Sequence, residues 1–343
     1  MILPPSPASL FDLSTGYWRS CALFAGIELE IFDTIGVDGA TEAELAAGLK
    51  LPSRSLSLLL EALQALELCE PTDGRWQNSP SALAYLVSGG PAYLGQTILF
   101  NAKTYGAWGQ LADAVRQAQP PQPHDQFLGR DYEDTRNFVL AMHQRALGVA
   151  QVLTPMLPFA DRRRLLDLGG GPATYAQMLA AYHPSLEITV VDLGPILEVA
   201  AGLHGQSPGM DRVTLRPGDI FADAPGVLEE LAATDTPYDA ILISGVIHRT
   251  EGSQTGSFLE RALCCLAPGG MLAVSDLFTG LPEPGPVLPE LFSLHMLVTA
   301  DSGRALEYKG FEKTLRELGQ TDLQTIRLPA PLPHSVATSI KPD

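Results

Sequence analysis

The sequence predicts an α/β chain in two parts: a helical N-terminal third, then a parallel sheet with helices on both faces. Apolar residues recur at helical spacing from Leu10 to Ile35. From Arg164 onward, short apolar runs alternate with helical stretches, the pattern of strands joined by helical crossovers. A Pro-rich break between Gln117 and His124 separates the two patterns. We therefore expect domains over 1–118 and 119–343, with a helical lead-in over 125–160.

The first helical region carries Leu10, Leu13, Tyr17, Trp18, Cys21, Phe24, Ile27, Ile31 and Ile35. Thr41 and Glu44 then form a capping-box pattern that opens a short helix through Leu49. After Pro52, residues Leu56, Leu59, Leu60, Leu63 and Leu66 share one helical face. The pair Asp73-Gly74, between Cys69 and Trp76, predicts a tight hairpin. Helix, helix, hairpin is a winged-helix order. Its second helix has Arg54 as its sole basic residue and also carries Glu61, and the turn adds only Arg75. That is too little positive charge to hold phosphates, so a scaffold or dimerisation role is expected. A further helix is predicted from Asp131 to Leu157, holding Phe138, Met142 and Leu147. Strands are predicted at Leu165–Leu168, Glu187–Val191, Val213–Leu215, Ala240–Ile243 and Met271–Val274.

Composition narrows the function classes. The 343 residues are 45% hydrophobic and 18% charged, as in a globular protein with two cores. A net charge of -17 disfavours nucleic-acid and anionic-membrane partners. No basic region followed by an apolar stretch opens the chain, and the apolar run Ile241–Ile247 soon meets His248, Arg249 and Glu251. Cys21, Cys69, Cys264 and Cys265 have no zinc-ligand spacing. Reduced thiols in a cytoplasmic protein, and no bound metal, are the expectations.

The most informative run is Leu165-Leu166-Asp167-Leu168-Gly169-Gly170-Gly171-Pro172-Ala173-Thr174-Tyr175. A strand feeds a glycine turn that opens a helix through Tyr182, with Thr174 where the last glycine of a dinucleotide fingerprint would stand. The next strand ends in Asp192, placed to accept from both hydroxyls of a ribose. After the third strand, Asp219 can accept from an adenine amino group while Ile220 packs on the ring. Such a site serves a nicotinamide dinucleotide or an adenosyl methyl donor. Asp167, in the strand just before the glycines, would repel a pyrophosphate but attract an ammonium group.

Together these residues resemble the class I O-methyltransferases of the caffeate, hydroxyindole and bacterial natural-product type, over nearly the whole chain. The segment from Gly16-Tyr17-Trp18 to Phe32-Asp33 is similar to that family's dimerisation domain. Asp167-Leu168-Gly169-Gly170-Gly171 looks like its donor loop. Asp192-Leu193, Gly218-Asp219-Ile220-Phe221, the turn Ala267-Pro268-Gly269-Gly270 before a strand, and the ending His334-Ser335-Val336-Ala337 match as well.

The resemblance implies a Rossmann-like class I methyltransferase domain behind an N-terminal α-helical winged-helix dimerisation domain, working as a homodimer. It implies S-adenosylmethionine as methyl donor, S-adenosylhomocysteine as product, and no metal. Donor contacts would come from Asp167, Gly169, Gly170, Gly171, Asp192, Leu193, Asp219, Ile220 and Ser244, the last replacing a family lysine. His248 would be the general base. Asp276 would orient it in place of the family glutamate. Phe138, Met142, Phe292, His295 and Met296 would line the acceptor site, whereas Gln144 and Arg145 are expected to be solvated and His183 to end a helix. The sequence departs from the family pattern at Arg249 and Thr250, where Asp and Trp are usual, and at Ala305, where a second glutamate is usual. The expected acceptor is a hydroxyl of an aromatic or polyketide-like metabolite. Carbon or nitrogen methylation, and a non-catalytic binding or regulatory protein with the same fold, are the alternatives.

Overall fold

The computed structural model describes residues 6–121, 131–281, 287–330 and 332–343. Cα packing divides the chain into two compact units, Met1–Tyr105 and Gly106–Asp343. This division precedes the break expected at 118/119. Its cause is a small apolar cluster in which Ala107 and Ala114 pack against Val298, tying 106–118 to the C-terminal unit. Residues 122–124 of the Pro-rich tract and the start of the expected lead-in lie outside the described residues.

The N-terminal unit opens with α1 (Pro7–Glu28), capped by the Ser6 hydroxyl, which accepts from Ser9 N. The expected single helical stretch is broken at Leu29-Glu30. Glu30 takes a left-handed conformation and α2 (Ile31–Ile35) starts afresh. That kink lets Ile27, Ile31, Phe32 and Ile35 all enter one core with Leu45, Leu56, Leu60, Leu63 and Trp76. α3 (Glu42–Leu49) begins at the full Thr41/Glu44 capping box, and α4 (Ser53–Ala65) follows Pro52. β1 (Cys69–Thr72) and β2 (Arg75–Asn78) form the hairpin. Asp73 and Gly74 both have positive φ, as its two-residue turn requires. α5 (Pro80–Tyr85) and α6 (Gly95–Trp108) follow.

In the C-terminal unit, α7 (Leu111–Gln117) and α8 (Tyr132–Leu153) precede the sheet strands β3 (Arg164–Leu168), β4 (Glu187–Asp192), β5 (Val213–Pro217), β6 (Tyr238–Ser244) and β7 (Leu266–Asp276). The sheet also contains β10 (Thr321–Arg327) and β11 (Ser335–Ile340), in the order β10-β11-β7-β6-β3-β4-β5. The pairs among β3 to β7 are parallel, whereas β11 and β10 close one edge antiparallel. Short β8 (Phe278–Thr279) and β9 (Leu306–Glu307) pair beyond the sheet end. The Pro-Gly-Gly segment, expected as a turn before its strand, lies inside β7, where the register with β6 shifts between Tyr238 and Ala240.

Side-chain alternation along the strands builds two cores. Leu165, Ile188, Val190, Leu242 and Ala273 point to the face covered by α8, α9 (Thr174–Tyr182) and α10 (Gly194–His204). Leu166, Leu168, Ile241, Ile243 and Val274 point to the other, covered by α11 (Val227–Ala232), α12 (Ser253–Cys264) and α14 (Tyr308–Glu317). Helix α13 (Leu288–Thr299) packs on α7. Successive connections run one way from β3 to β5, then return to place β6 on the other side of β3. Ligand crevices form at such a switch, outside the carboxyl ends of the strands. Among the described residues, no helix is long and apolar enough to cross a membrane.

Candidate active site

The strand tips at the switch carry the expected acidic residues. Asp167 is fully buried, and among the described residues neither of its carboxylate oxygens has a hydrogen-bond partner. Burial, reinforced by the nearby Asp192 carboxylate, pushes its pKa up to about 7. A buried carboxylate left without donors is unstable as an anion unless a cation joins it. The site therefore fits a ligand bearing an ammonium group.

Above Asp167 the chain turns through the glycines. Gly169 and Gly171 have positive φ, and a Cβ on Gly170 would stand 2.7 Å from Asp167 Oδ2 and 2.6 Å from Val190 Cγ1. The turn lies flush against the carboxylate because no side chain fits between them. Asp192 closes the opposite side. Its Oδ2 accepts from Gly171 N at 2.8 Å and its Oδ1 from Leu193 N at 2.7 Å. Each oxygen retains a second lone pair, free to accept from a ribose hydroxyl. Burial raises the Asp192 carboxyl; the two backbone bonds and the Arg249 charge pull the other way. Asp219 is exposed and accepts from Phe221 N, while the neighbouring Ile220 is buried. Leu193 is exposed beside Asp192. Half-buried Ser244, at the tip of β6, shares a hydrogen bond with Tyr175. The structure thus gathers the expected donor-site residues along one edge of the sheet.

His248 occupies a short 3-10 turn, Ile247–Arg249, after β6. Its Nδ1 lies 2.9 Å from Asp276 Oδ1 and 3.1 Å from Oδ2, and its backbone N–H donates to the same carboxylate at 3.2 Å. The shorter aspartate therefore reaches the imidazole directly. Burial pushes the Asp276 carboxyl up, but the His248 charge and hydrogen bond, with the Leu277 N–H, outweigh it and hold the carboxyl below its usual range. The turn is also clamped from behind. Arg304 N donates to His248 O at 2.8 Å, and a Cβ on Gly303 would collide with that carbonyl. Ala305, where the family usually has a second glutamate, is fully buried.

An aromatic run leads away from His248. Its ring meets Phe292 edge-on at 4.8 Å, Phe292 lies 5.7 Å from His295, and His295 stacks on Trp108 at 6.3 Å. Trp108 Nε1 donates to His295 Nδ1 at 3.2 Å. Burial, with the charges of Arg145 and His248, lowers the His295 pKa to about 4. Phe138 and Met142 are half-buried one turn apart on α8. Met296, expected beside Phe292 and His295, instead turns its Cε toward Gly303. It helps line a separate cavity of about 370 Å³ with Ser293, Leu297 and Ala300.

Several residues near the site escaped the sequence reading. Arg249 lies within electrostatic reach of Asp192 and Asp219. His143 Nδ1 bonds Thr174 Oγ1 at 2.8 Å beneath the glycine turn, with His204 packed edge-on at 5.1 Å. His334 was seen only as part of the chain ending, and Arg145 was expected to be solvated. Helical spacing could have placed Arg145 with Phe138 and Met142, since the three recur on one face of α8.

Comparison with known proteins identifies the family of the chain. Residues 108–321 match the model of the O-methyltransferase domain, and residues 11–88 that of the O-methyltransferase dimerisation domain. The chain is similar to the 3-hydroxy-5-methyl-1-naphthoate 3-O-methyltransferase of Streptomyces sahachiroi, with 32% identity over 98% of this chain and 95% of that one. It is 30% identical to the N,N-dimethyltransferase OxyT of Streptomyces rimosus, over 97% of this chain and 96% of that one. The fold is shared with human N-acetylserotonin methyltransferase, solved in complex with S-adenosylmethionine, at a TM-score of 0.85, 23% identity and full coverage of both chains. The chain belongs to the S-adenosylmethionine-dependent O-methyltransferase family, pairing its catalytic domain with its dimerisation domain.

Proposed function

We propose that this methyltransferase acts on a hydroxyl of an aromatic or polyketide-like small molecule, with His248 as general base and no metal. The observation that carries the reading is the His248–Asp276 contact, between the turn after β6 and the last residue of β7. Asp167 would hold the donor's ammonium group, Asp192 its ribose hydroxyls, and Asp219 with Ile220 its adenine. Bound S-adenosylmethionine supplies a methyl group on a sulfonium, so the new O–CH₃ bond forms as the S–CH₃ bond breaks.

The chain's own work is alignment and proton removal. A phenol with a pKa near 10 is only about a thousandth ionised at neutral pH. Asp276 accepts from His248 Nδ1–H, which fixes the tautomer with a lone pair on Nε2. That nitrogen takes the acceptor proton as the methyl arrives, and Asp276 stabilises the resulting imidazolium. The hydroxynaphthoate O-methylation named for the Streptomyces sahachiroi relative supports a hydroxyl acceptor. The dimethyltransferase name of OxyT favours nitrogen methylation as the second reading. Replacement His248→Ala separates them. Turnover of a hydroxyl acceptor falls about 10² to 10⁴-fold while S-adenosylhomocysteine affinity is retained. Near-normal turnover would point to an intrinsically nucleophilic nitrogen or carbon.

Asp167 makes donor binding pH-dependent in a defined direction. Its pKa of about 7 describes the ligand-free protein. A neighbouring ammonium favours the carboxylate, so binding below that pH expels a proton. Affinity for S-adenosylhomocysteine should fall as pH drops below about 7, approaching tenfold per unit, and Asp167→Asn should abolish the slope. Calorimetric titration between roughly pH 5.5 and 8 checks this; a flat wild-type profile contradicts it.

The reading includes a cytoplasmic homodimer formed through the N-terminal unit. Helix α1 exposes Leu10, Phe11, Leu13, Tyr17 and Trp18, with Phe11 75% and Trp18 62% accessible. A contiguous apolar face of this kind marks an association surface. Sedimentation at micromolar concentration should give twice the 36.7 kDa chain mass, and Phe11→Glu with Trp18→Glu should return the monomer. A wild-type monomer would refute the dimer.

A further inference from the structure

The glycine turn ends on a residue whose own conformation is disfavoured. Ala173, buried between Pro172 and Thr174, takes φ 57° and ψ 23°, in the left-handed region. An L-residue there brings its Cβ against the following carbonyl, a strain that glycine escapes. Such a residue persists where its surroundings hold it. Within the turn the Ala173 N–H donates to Gly170 O at 2.9 Å. The residues on either side of Ala173 are anchored from outside the turn.

Both anchors are histidines that the methyl-transfer chemistry does not use. His143, on α8, shares a hydrogen bond of 2.8 Å between its Nδ1 and Thr174 Oγ1. His204, the last residue of α10 and only 5% exposed, donates to the Pro172 carbonyl. Its Nε2 is buried with no hydrogen-bond partner among the described residues, so Nδ1 is the donor and the neutral tautomer is fixed. The two rings meet close to edge-on, with centroids 5.1 Å apart. Both positions continue apolar stripes. His143 lies in line with Ala146, Ala150 and Leu153 on α8, and His204 with Leu197 and Ala200 on α10, in the core that also holds Ala173 and Ala176. Apolar side chains would fill this space without leaving a nitrogen unpartnered. Two imidazoles there instead supply a hydrogen bond on each side of Ala173.

Resting on the methyl-donor reading of the glycine turn, we infer that His143 and His204 are positioning residues for donor binding: together they hold Ala173 in its left-handed conformation, and with it the turn that faces the donor. Both act through the backbone rather than on the donor itself. Gly171, two residues before Ala173, is the residue whose N–H the Asp192 carboxylate accepts. A turn released at Ala173 therefore loosens at the Asp192 contact as well. The donor binds the held turn, so its apparent affinity falls in proportion to the fraction of molecules that hold it.

The test is calorimetric titration of S-adenosylhomocysteine into the wild type and a set of variants. His143→Ala should weaken binding about 5- to 30-fold, the population shift that left-handed strain at a single alanine can impose. His204→Phe, which keeps a ring but loses the bond to Pro172, should weaken it over the same range. So should Thr174→Val, which removes the His143 bond while conserving volume and keeps the test open if His143→Ala fails to fold. His143→Asn, whose side-chain amide can stand in for Nδ1, should bind within about threefold of the wild type. The sharpest readout is rescue by Ala173→Gly. In that background His143→Ala should cost less than about threefold, because glycine adopts the left-handed conformation unaided. Val149→Ala, in the same helix and core, should lower the unfolding midpoint and leave the affinity unchanged. Wild-type affinity in His143→Ala and Thr174→Val, a loss that Ala173→Gly does not relieve, or an equal loss in Val149→Ala overturns the inference while leaving the donor site standing. No binding to the folded wild type would overturn both.

Discussion

A carboxylate buried with no hydrogen-bond donor among the described residues governs the C-terminal unit. Asp167 sits next to last in β3, covered by a glycine turn that leaves no room for a side chain at Gly170. In the ligand-free protein burial and the Asp192 charge both disfavour its ionised form. The glycines, the strand order and the Asp192 backbone bonds all hold this unfavourable arrangement in place. A cationic group beside the carboxylate would relieve it, because an opposite charge favours the ionised form.

The second carboxylate at a strand tip is treated in the opposite way. Asp276 is also buried, but it is surrounded by donors: two from His248 and one from Leu277. It stays ionised and fixes the imidazole. Behind it, Gly303 and Arg304 hold the His248 carbonyl, so the imidazole is positioned by backbone as well as by side chain. Asp167 awaits a cation from outside, whereas Asp276 already has one potential cation within reach. That contrast gives the two buried carboxylates opposite electrostatic surroundings within one sheet.

Much of this was legible in the sequence. The capping box at Thr41, the Asp73-Gly74 turn and the five parallel strands follow from local chemistry and strand periodicity. The donor loop was readable because glycines and acidic strand tips lie close together along the chain. Strands β10 and β11 were not readable as strands: their mixed polar runs pair antiparallel at the sheet edge, which no short-range signal announces. The break at Leu29-Glu30 is imposed by packing of Phe32 and Ile35 into the core rather than by propensity. Acceptor-side groups were least visible. Trp108 comes from a separate element and reaches His295, which the sequence did mark, only through the tertiary fold. Met296 shows the limit of helical spacing: it follows His295 directly in α13, yet lines the cavity formed with Ser293, Leu297 and Ala300.

Titration of S-adenosylhomocysteine into the wild type and into Asp192→Ala tests the donor site without any knowledge of the acceptor. The account predicts micromolar or tighter binding to the wild type and its collapse in the variant, since Asp192 ties down the glycine turn and, in the proposed reading, accepts from the ribose. Absence of binding to folded wild-type protein, or equal binding to both, would contradict it.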